Sequence, residues 1–292
     1  NSEIFELKPN LNPKTKKQLD FADSRIRALS PIHLEYLRNM NVGASYSFAV
    51  ALQDDLWGLV ACHHLSPKLL NSRQKNLCEL ITTIFSVQVS LLEQLQNQAA
   101  NIETNKKVRE IISEIGDHSS PVKEMFRLHL RVLEAVESTG LALVERDTID
   151  FAGLTPPTER IRSLAKALQT RMQETNRSMI ALESITELLP DWGEMASSFS
   201  GALALRTGET GSLLIFFRPE HVETITWGGD PRKQLDKKGF EGRIHPRVSF
   251  ESWEEVIRGH SRAWERRTVE AAEFLRDVVL NSLDSRARLI SE

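Results

Sequence analysis

From roughly Ser66 to Arg127 the sequence reads as mostly helical, and no other stretch restricts the possible folds as strongly. Leu77, Leu80, Ile81, Ile84, Leu91 and Leu95 recur at helical spacing as one stripe, which Phe85, Val89 and Leu92 widen. A stripe that broad predicts one side packed on its own domain and another on a partner chain. The more polar stretch from Asn97 to Pro121 fits a helical connector crossing between domains. At 292 residues the chain can supply a domain on either side of it. The expected boundaries are 1–95 for the first domain with the start of the helix, 96–119 for the connector, 120–265 for the second domain and 266–292 for a C-terminal helix.

In the first domain, "SPIHLEYLRNM" (30–40) reads as a short helix, with Ser30 at the N-cap and Pro31 in the first turn. "SYSFAVAL" (45–52) then alternates as a strand: Tyr46, Phe48, Val50 and Leu52 point one way, Ser45, Ser47, Ala49 and Ala51 the other. "QDD" turns the chain, and "LWGLVACHH" (56–64) returns as the second strand, where Gly58 marks a bulge or the close approach of another group. In the second domain, "GLALVERDTIDFAG" (140–153) and "GALALRTGETGSLLIFFRPE" (201–220) read as hairpins, and "TERIRSLAKALQTRM" as a helix capped by Thr158. Antiparallel strands interleaved with helices imply an α+β fold. Sixteen residues rich in charge, Asp230 to His245, separate "WGG" from "PR"; loops of that length tend to be functional. Val269, Ala272, Leu275, Val279 and Leu283 then recur at helical spacing, predicting an exposed final helix that seeks a partner.

Composition excludes several classes. A formal charge of -3 gives no general attraction to nucleic acid or anionic membrane. Two cysteines, Cys62 and Cys78, suit a reducing cytoplasm rather than a disulfide-stapled secreted domain. No apolar run suffices to span a bilayer. The N-terminus has no signal-peptide pattern and no start methionine, so the chain reads as a piece of something longer.

No P-loop, G-x-G-x-x-G or G-x-S-x-G occurs, and no catalytic set is expected. In "CHH" only Cys62 and His64 share a strand face, with no second ligand pair at metal spacing, so no metal is expected. Asp54–Asp55 reads as a turn rather than a dyad. His33 and His63, taken singly, would be ordinary core or surface histidines. Beside a strand face of Ser45, Ser47, Ala49 and Ala51 they suggest more: small side chains leave room for a flat apolar body, and two hydroxyls suit anionic oxygens. Arg27 is a candidate carboxylate partner, and Tyr36, one turn beyond His33, a candidate cavity wall.

These motifs carry a resemblance. "SPIHLEYLRNMNVGAS" with "LWGLVACHH" resembles the chromophore-binding GAF domain of phytochromes, and "FFRPE", "WGG" and "PRVSFESWEE" resemble their PHY domain and its tongue hairpin. The resemblance covers nearly the whole chain and implies two PAS/GAF-like domains joined by a long helix, with a tongue at about 227–253. It implies a red/far-red photoreceptor module of bacteriophytochrome type, relaying tongue refolding to a C-terminal output domain, in this family often a histidine kinase. His33 would lie against the pyrrole rings and their water, His63 would bond the ring D carbonyl, and Tyr36 would pack near that ring. Ser45 and Ser47 would hold one propionate and Arg27 the other. Arg247 and Ser249 would reach the pocket from the tongue, and Trp227 and Trp253 would exchange places as it refolds. Ile32 stands where plant and most cyanobacterial members have the attachment cysteine, which points to biliverdin. The chain has no N-terminal attachment cysteine, preceding PAS domain or D-I-P motif, and so reads as the latter part of a photosensory module, dimerising through its long helices. The alternative is a GAF–PHY dimerisation and regulatory module that binds no bilin.

Overall fold

A computed structural model describes residues 8–18, 29–53, 55–116, 121–146, 148–207, 211–228 and 251–291. Contacts divide the chain into two compact units, one of Asn1–Leu91 with Thr226–Glu255 and one of Leu92–Ile225 with Val256–Glu292. The fold is α+β, as the alternation of hairpins and helices implies.

The first unit opens with α1 (Pro31–Asn39). Ser30 does occupy the N-cap, but its hydroxyl makes no capping hydrogen bond; proline at N1 starts the helix. A paired hairpin follows, β1 (Ala44–Leu52) against β2 (Asp55–His64), antiparallel. Gln53, the residue after β1, adopts φ +56°, as the reversal into β2 requires. Val50 pairs with Gly58 but Ala51 with Leu56, so Trp57 is the extra residue of a bulge. Gly58 thus sits beside the bulge, one of the two readings the sequence allowed, and among the described residues a Cβ there would meet nothing within 4 Å.

Helix α2 (Ser72–Gly116) runs 45 residues, roughly 68 Å at 1.5 Å per residue. It begins at Ser72, not near Ser66, because Asn71 and Gln74 cap it reciprocally: each backbone amide donates to the other's side-chain oxygen, at 3.0 and 2.9 Å. The inward side of its first half carries Cys78, Thr82, Ser86 and Val89; the hydroxyls of Thr82 and Ser86 donate to carbonyls four residues back, both at 2.9 Å. Leu77, Leu80, Ile81, Ile84, Leu91 and Leu95 are all more than half exposed.

The second unit is built on a five-stranded sheet in the order β4-β3-β7-β6-β5, from β3 (Gly140–Val144), β4 (Ile149–Gly153), β5 (Met179–Leu182), β6 (Gly201–Arg206) and β7 (Leu213–Arg218). All its pairings are antiparallel. The near-continuous apolar runs "GLALV", "GALAL" and "LLIFF" follow from cover on both faces, since neither side of the central strands can be polar. Leu141, Leu143, Leu203, Leu205, Leu214 and Phe216 pack on the end of α2 and on α3 (Pro121–Arg127), α4 (His129–Ala135) and α6 (Arg266–Ser291). On the reverse face Ala142, Ala202 and Ala204 let α5 (Thr158–Thr175) approach with Ile161, Leu164 and Leu168. Thr158 is the first residue of α5 and not its cap; Pro157 holds the N-cap position, because its fixed φ already suits the turn into the helix.

The final helix also corrects the sequence reading. Ala272, Leu275 and Val279 are fully buried in the core of this unit, so the apolar stripe of α6 is already partnered by its own sheet. Leu283 lies among residues whose side chains are not described. The stretch after Trp253 is strand before it is helix: β8 (Glu223–Gly228) and β9 (Ser252–Ile257) pair as a two-stranded ribbon. The charged loop at 230–245 lies outside the described residues.

Candidate functional site

The candidate site is built on two consecutive elements joined by residues 40–43. Three-residue spacing puts His33 and Tyr36 one above the other on α1, with ring centroids 6.3 Å apart and planes 24° from parallel. Buried Leu37 anchors the helix, while His33 and the neighbouring Ile32 are exposed. The chain then enters the hairpin directly, the Gly43 amide donating 2.8 Å to the His64 carbonyl. A Cβ at Gly43 would come within 2.5 Å of the Leu65 carbonyl oxygen, so only glycine fits where α1 hands over to β1.

Hairpin register makes the shared face. Ser45 lies opposite His63 and Ser47 opposite Ala61. Directly opposed side chains point to the same side, with Cβ atoms about 5 Å apart. Both hydroxyls and the His63 imidazole therefore share one face with Ala49, Ala51, Ala61 and the larger Leu59, which lies opposite Ala49. Ser47, Ala49, Ala51 and His63 are exposed, so this face is open; Phe48 and Val50 are buried on the other. Tyr46, Cys62 and His64 also belong to that other face. His64 is held by its own turn, with Nδ1 2.9 Å from the Ser66 carbonyl oxygen and 3.2 Å from the Ser66 hydroxyl. At the end of the hairpin a hollow of about 290 Å³ is lined by Ser45, Tyr46, His63, Lys68 and Lys75 among others. Lys75 Nζ stands 5.6 Å from the centre of the Tyr46 ring.

Of the residues singled out from sequence, Ser45, Ser47 and His63 come together on the hairpin, and His33 and Tyr36 on α1. Arg27, Arg247 and Ser249 lie outside the described residues. Trp227 and Trp253 stand half-buried on β8 and β9, and the Trp227 indole N–H donates 3.0 Å to Glu255 Oε2. Among the described residues no three His, Cys, Asp or Glu side chains group as metal ligands, and no helix is long and apolar enough to cross a membrane.

Sequence reasoning passed over two groups. Glu255 anchors the Trp227 indole, and its place two residues beyond Trp253 in "SWEE" put it on the same strand face. Arg218, quoted in "FFRPE" but given no role, is nearly buried, with its guanidinium carbon 3.8 Å from the centre of the Trp264 ring. Burial pushes its guanidinium down to about 10, partly opposed by the Glu137 carboxylate, so it keeps its charge at neutral pH.

Comparisons with known proteins agree on one family. The profile of the phytochrome region (PHY) matches residues 104–288. Cyanobacterial phytochrome B of Nostoc sp. is 30% identical over 287 residues, covering 96% of this chain and 38% of that protein. The bacteriophytochrome of Pseudomonas aeruginosa is 31% identical over 278 residues, covering 92% and 36%. The crystal structure of a bacteriophytochrome from the photosynthetic bacterium R. palustris superposes with a TM-score of 0.79 at 31% identity, covering 96% of this chain and 56% of that one. The chain thus spans well under half the length of these curated relatives.

Proposed function

Because the chain belongs to the phytochrome family, we propose that it is part of a red/far-red photoreceptor, a partial GAF domain (to about residue 95) and a PHY domain that together sense light through biliverdin. The observation that carries the proposal is the open face on which Ser45 and Ser47 share a side with His63. The small side chains at 45, 47, 49 and 61 would leave the thickness of a planar tetrapyrrole free, with exposed Leu59 as an apolar wall, and the hydroxyls would meet a propionate while the imidazole meets a carbonyl. His33 would lie against the pyrrole nitrogens and Tyr36 beside ring D; Arg27 would take the second propionate. Ile32, which cannot form a thioether, leaves attachment to a cysteine elsewhere in the longer protein.

Light would isomerise the C15=C16 bond and rotate ring D, exchanging its contacts with His63 and Tyr36. The tongue, with Arg247 and Ser249 turned to the pocket, would refold between hairpin and helix, and Trp227 and Trp253 would trade places. A photon shifts this balance only by the difference in stability it creates between the two states. The exposed stripe of α2 would pair with a second copy, and α6 would pass the change to an output domain such as a histidine kinase. No turnover is expected from this segment itself. Two free cysteines, Cys62 and Cys78, suit work in a reducing cytoplasm.

The test is absorbance of the full-length protein after biliverdin is added, in the dark and after red and far-red illumination. A red band with a reversible difference spectrum is expected, weakened or shifted by His63→Ala. No band, with dimerisation intact, would instead favour the regulatory module that binds no bilin.

A further inference from the structure

We infer that Arg218 and Glu220 are positioning residues: they clasp the foot of the β8–β9 ribbon to the sheet and to the start of α6, so that a change in the ribbon reaches α6 through a fixed joint. The light-dependent part of this inference rests on the photoreceptor reading; the clasp itself does not.

The chain leaves the sheet at Arg218, the last residue of β7, and comes back from β9 at about residue 258. Arg218 spends its guanidinium on backbone carbonyls from two separate segments. Nε donates 2.7 Å to Glu137 O and Nη2 3.1 Å to Val136 O, just beyond α4. Nη1 donates 2.7 Å to Ala263 O and 3.3 Å to Arg262 O, just before α6. The planar fork reaches both segments from separate nitrogens in a fixed geometry, whereas a lysine ammonium gathers its three donors on one atom. Glu137 completes the arrangement from the other side, its Oε1 accepting 2.7 Å from Nη2 of Arg267, in the first turn of α6.

Glu220 holds the re-entering chain two residues further on, its Oε1 accepting from the Gly259 amide at 2.5 Å. Gly259 has φ +80°, a conformation that glycine takes without strain. Three more bonds tie the same few residues to the segments just beyond β5 and β7: His221 N to His260 O at 2.7 Å, Ser184 Oγ to Gly259 O at 2.8 Å, and Ser261 N to Glu183 O at 2.8 Å. Gly201 of β6 leaves the space that the Ser261 side chain fills, since a Cβ there would fall 2.1 Å from its Oγ. Trp264, under the Arg218 guanidinium, donates 3.0 Å to Leu182 O. Both limbs of the ribbon are thus fastened at residues 218–221 and 259–264. Beyond these feet the strands β8 and β9 carry only exposed and half-buried residues. A change in the ribbon then stops at these two feet, and α6 receives it as a displacement of its first turn rather than as local melting.

Amide hydrogen exchange on the biliverdin-loaded full-length protein tests this, comparing wild type with Arg218→Met, Arg218→Lys and Glu220→Gln in dark and light. In the dark, Arg218→Met is expected to speed exchange over 262–268 at least about tenfold, since the charge-assisted bonds to Ala263 O and Arg262 O are both lost, with β3, β6 and β7 unchanged. Arg218→Lys, which keeps the charge but not the fork, is expected to do the same to a lesser degree. Glu220→Gln is expected to act on Gly259 alone. In the light, the difference spectrum should keep its amplitude in the Arg218 variants while the light-dependent exchange change over α6 falls by at least half, which a merely stabilising contact would not produce. Wild-type exchange over 259–268 in all three variants would overturn the clasp. Loosened amides with an undiminished α6 response would overturn the joint. If Arg218→Met does not fold, Arg218→Lys and Glu220→Gln decide by the same readings. If wild type shows no red band, the photoreceptor reading fails while the dark comparison still judges the clasp.

Discussion

Replacing Ile84 by serine cuts the centre of the apolar stripe on α2, where Leu77, Ile84 and Leu91 stand one heptad apart. Ile84 is 51% exposed in the single chain, so about half of its burial gain is still available to a partner. Full burial of such a side chain is worth about 2 kcal/mol, which leaves about 1 kcal/mol per copy. A two-fold dimer meets the substitution twice, so the loss is about 2 kcal/mol, or a rise in Kd of about 30-fold. Adding Leu91→Ser, at 54% exposure, doubles the loss and raises Kd about a thousandfold. Isoleucine and serine have similar helix propensities, and surface substitutions change stability little, so the monomer's Tm should hold within a degree or two. Sedimentation velocity over a wide concentration range reads the association, with Gln96→Ser, a polar exposed position, as control. A Kd within threefold of wild type in the double variant, or a wild-type chain that sediments as a monomer throughout, would refute the assignment of this stripe to a second copy.

Two further outcomes concern stability. Gly140→Ala places a methyl 1.8 Å from the Leu154 carbonyl oxygen, a backbone atom with no room to yield, and should cost about 3 kcal/mol, read as a lower urea midpoint with unchanged slope; a midpoint equal to wild type contradicts the packing at β3. Hydrogen bonds from Arg127 and Arg131 lower the carboxyl pKa of Glu114 in the folded chain, so its stabilisation holds above the ordinary carboxylate range and is lost as pH falls through the lowered value. Glu114→Gln should therefore lose less Tm than wild type between neutral and strongly acid pH; parallel curves would show that these ion pairs do not act.

Local pattern made much of the site legible. Strict alternation over 45–52 separates the serines from Tyr46 and Phe48 whatever the chain packs against, because a strand has a period of two. One helical turn between His33 and Tyr36 does the same for their rings. The Asn71–Gln74 cap was equally local, and a reader of capping boxes would have placed the start of α2 at Ser72. Arg218 is different in kind: its acceptors lie 44 to 82 residues away, and no local rule joins them.

By itself the sequence determined which faces exist: two-residue and 3.6-residue periods are properties of the backbone and need no partner. What each face meets was decided only in three dimensions. The stripes of α2 and α6 look alike as strings, yet Leu275 and Val279 are sealed against the second unit's sheet while Leu80 and Ile84 stand open. Hydrophobic burial has no direction of its own, so the apolar side of a helix says that something must cover it and leaves the choice of cover to the fold.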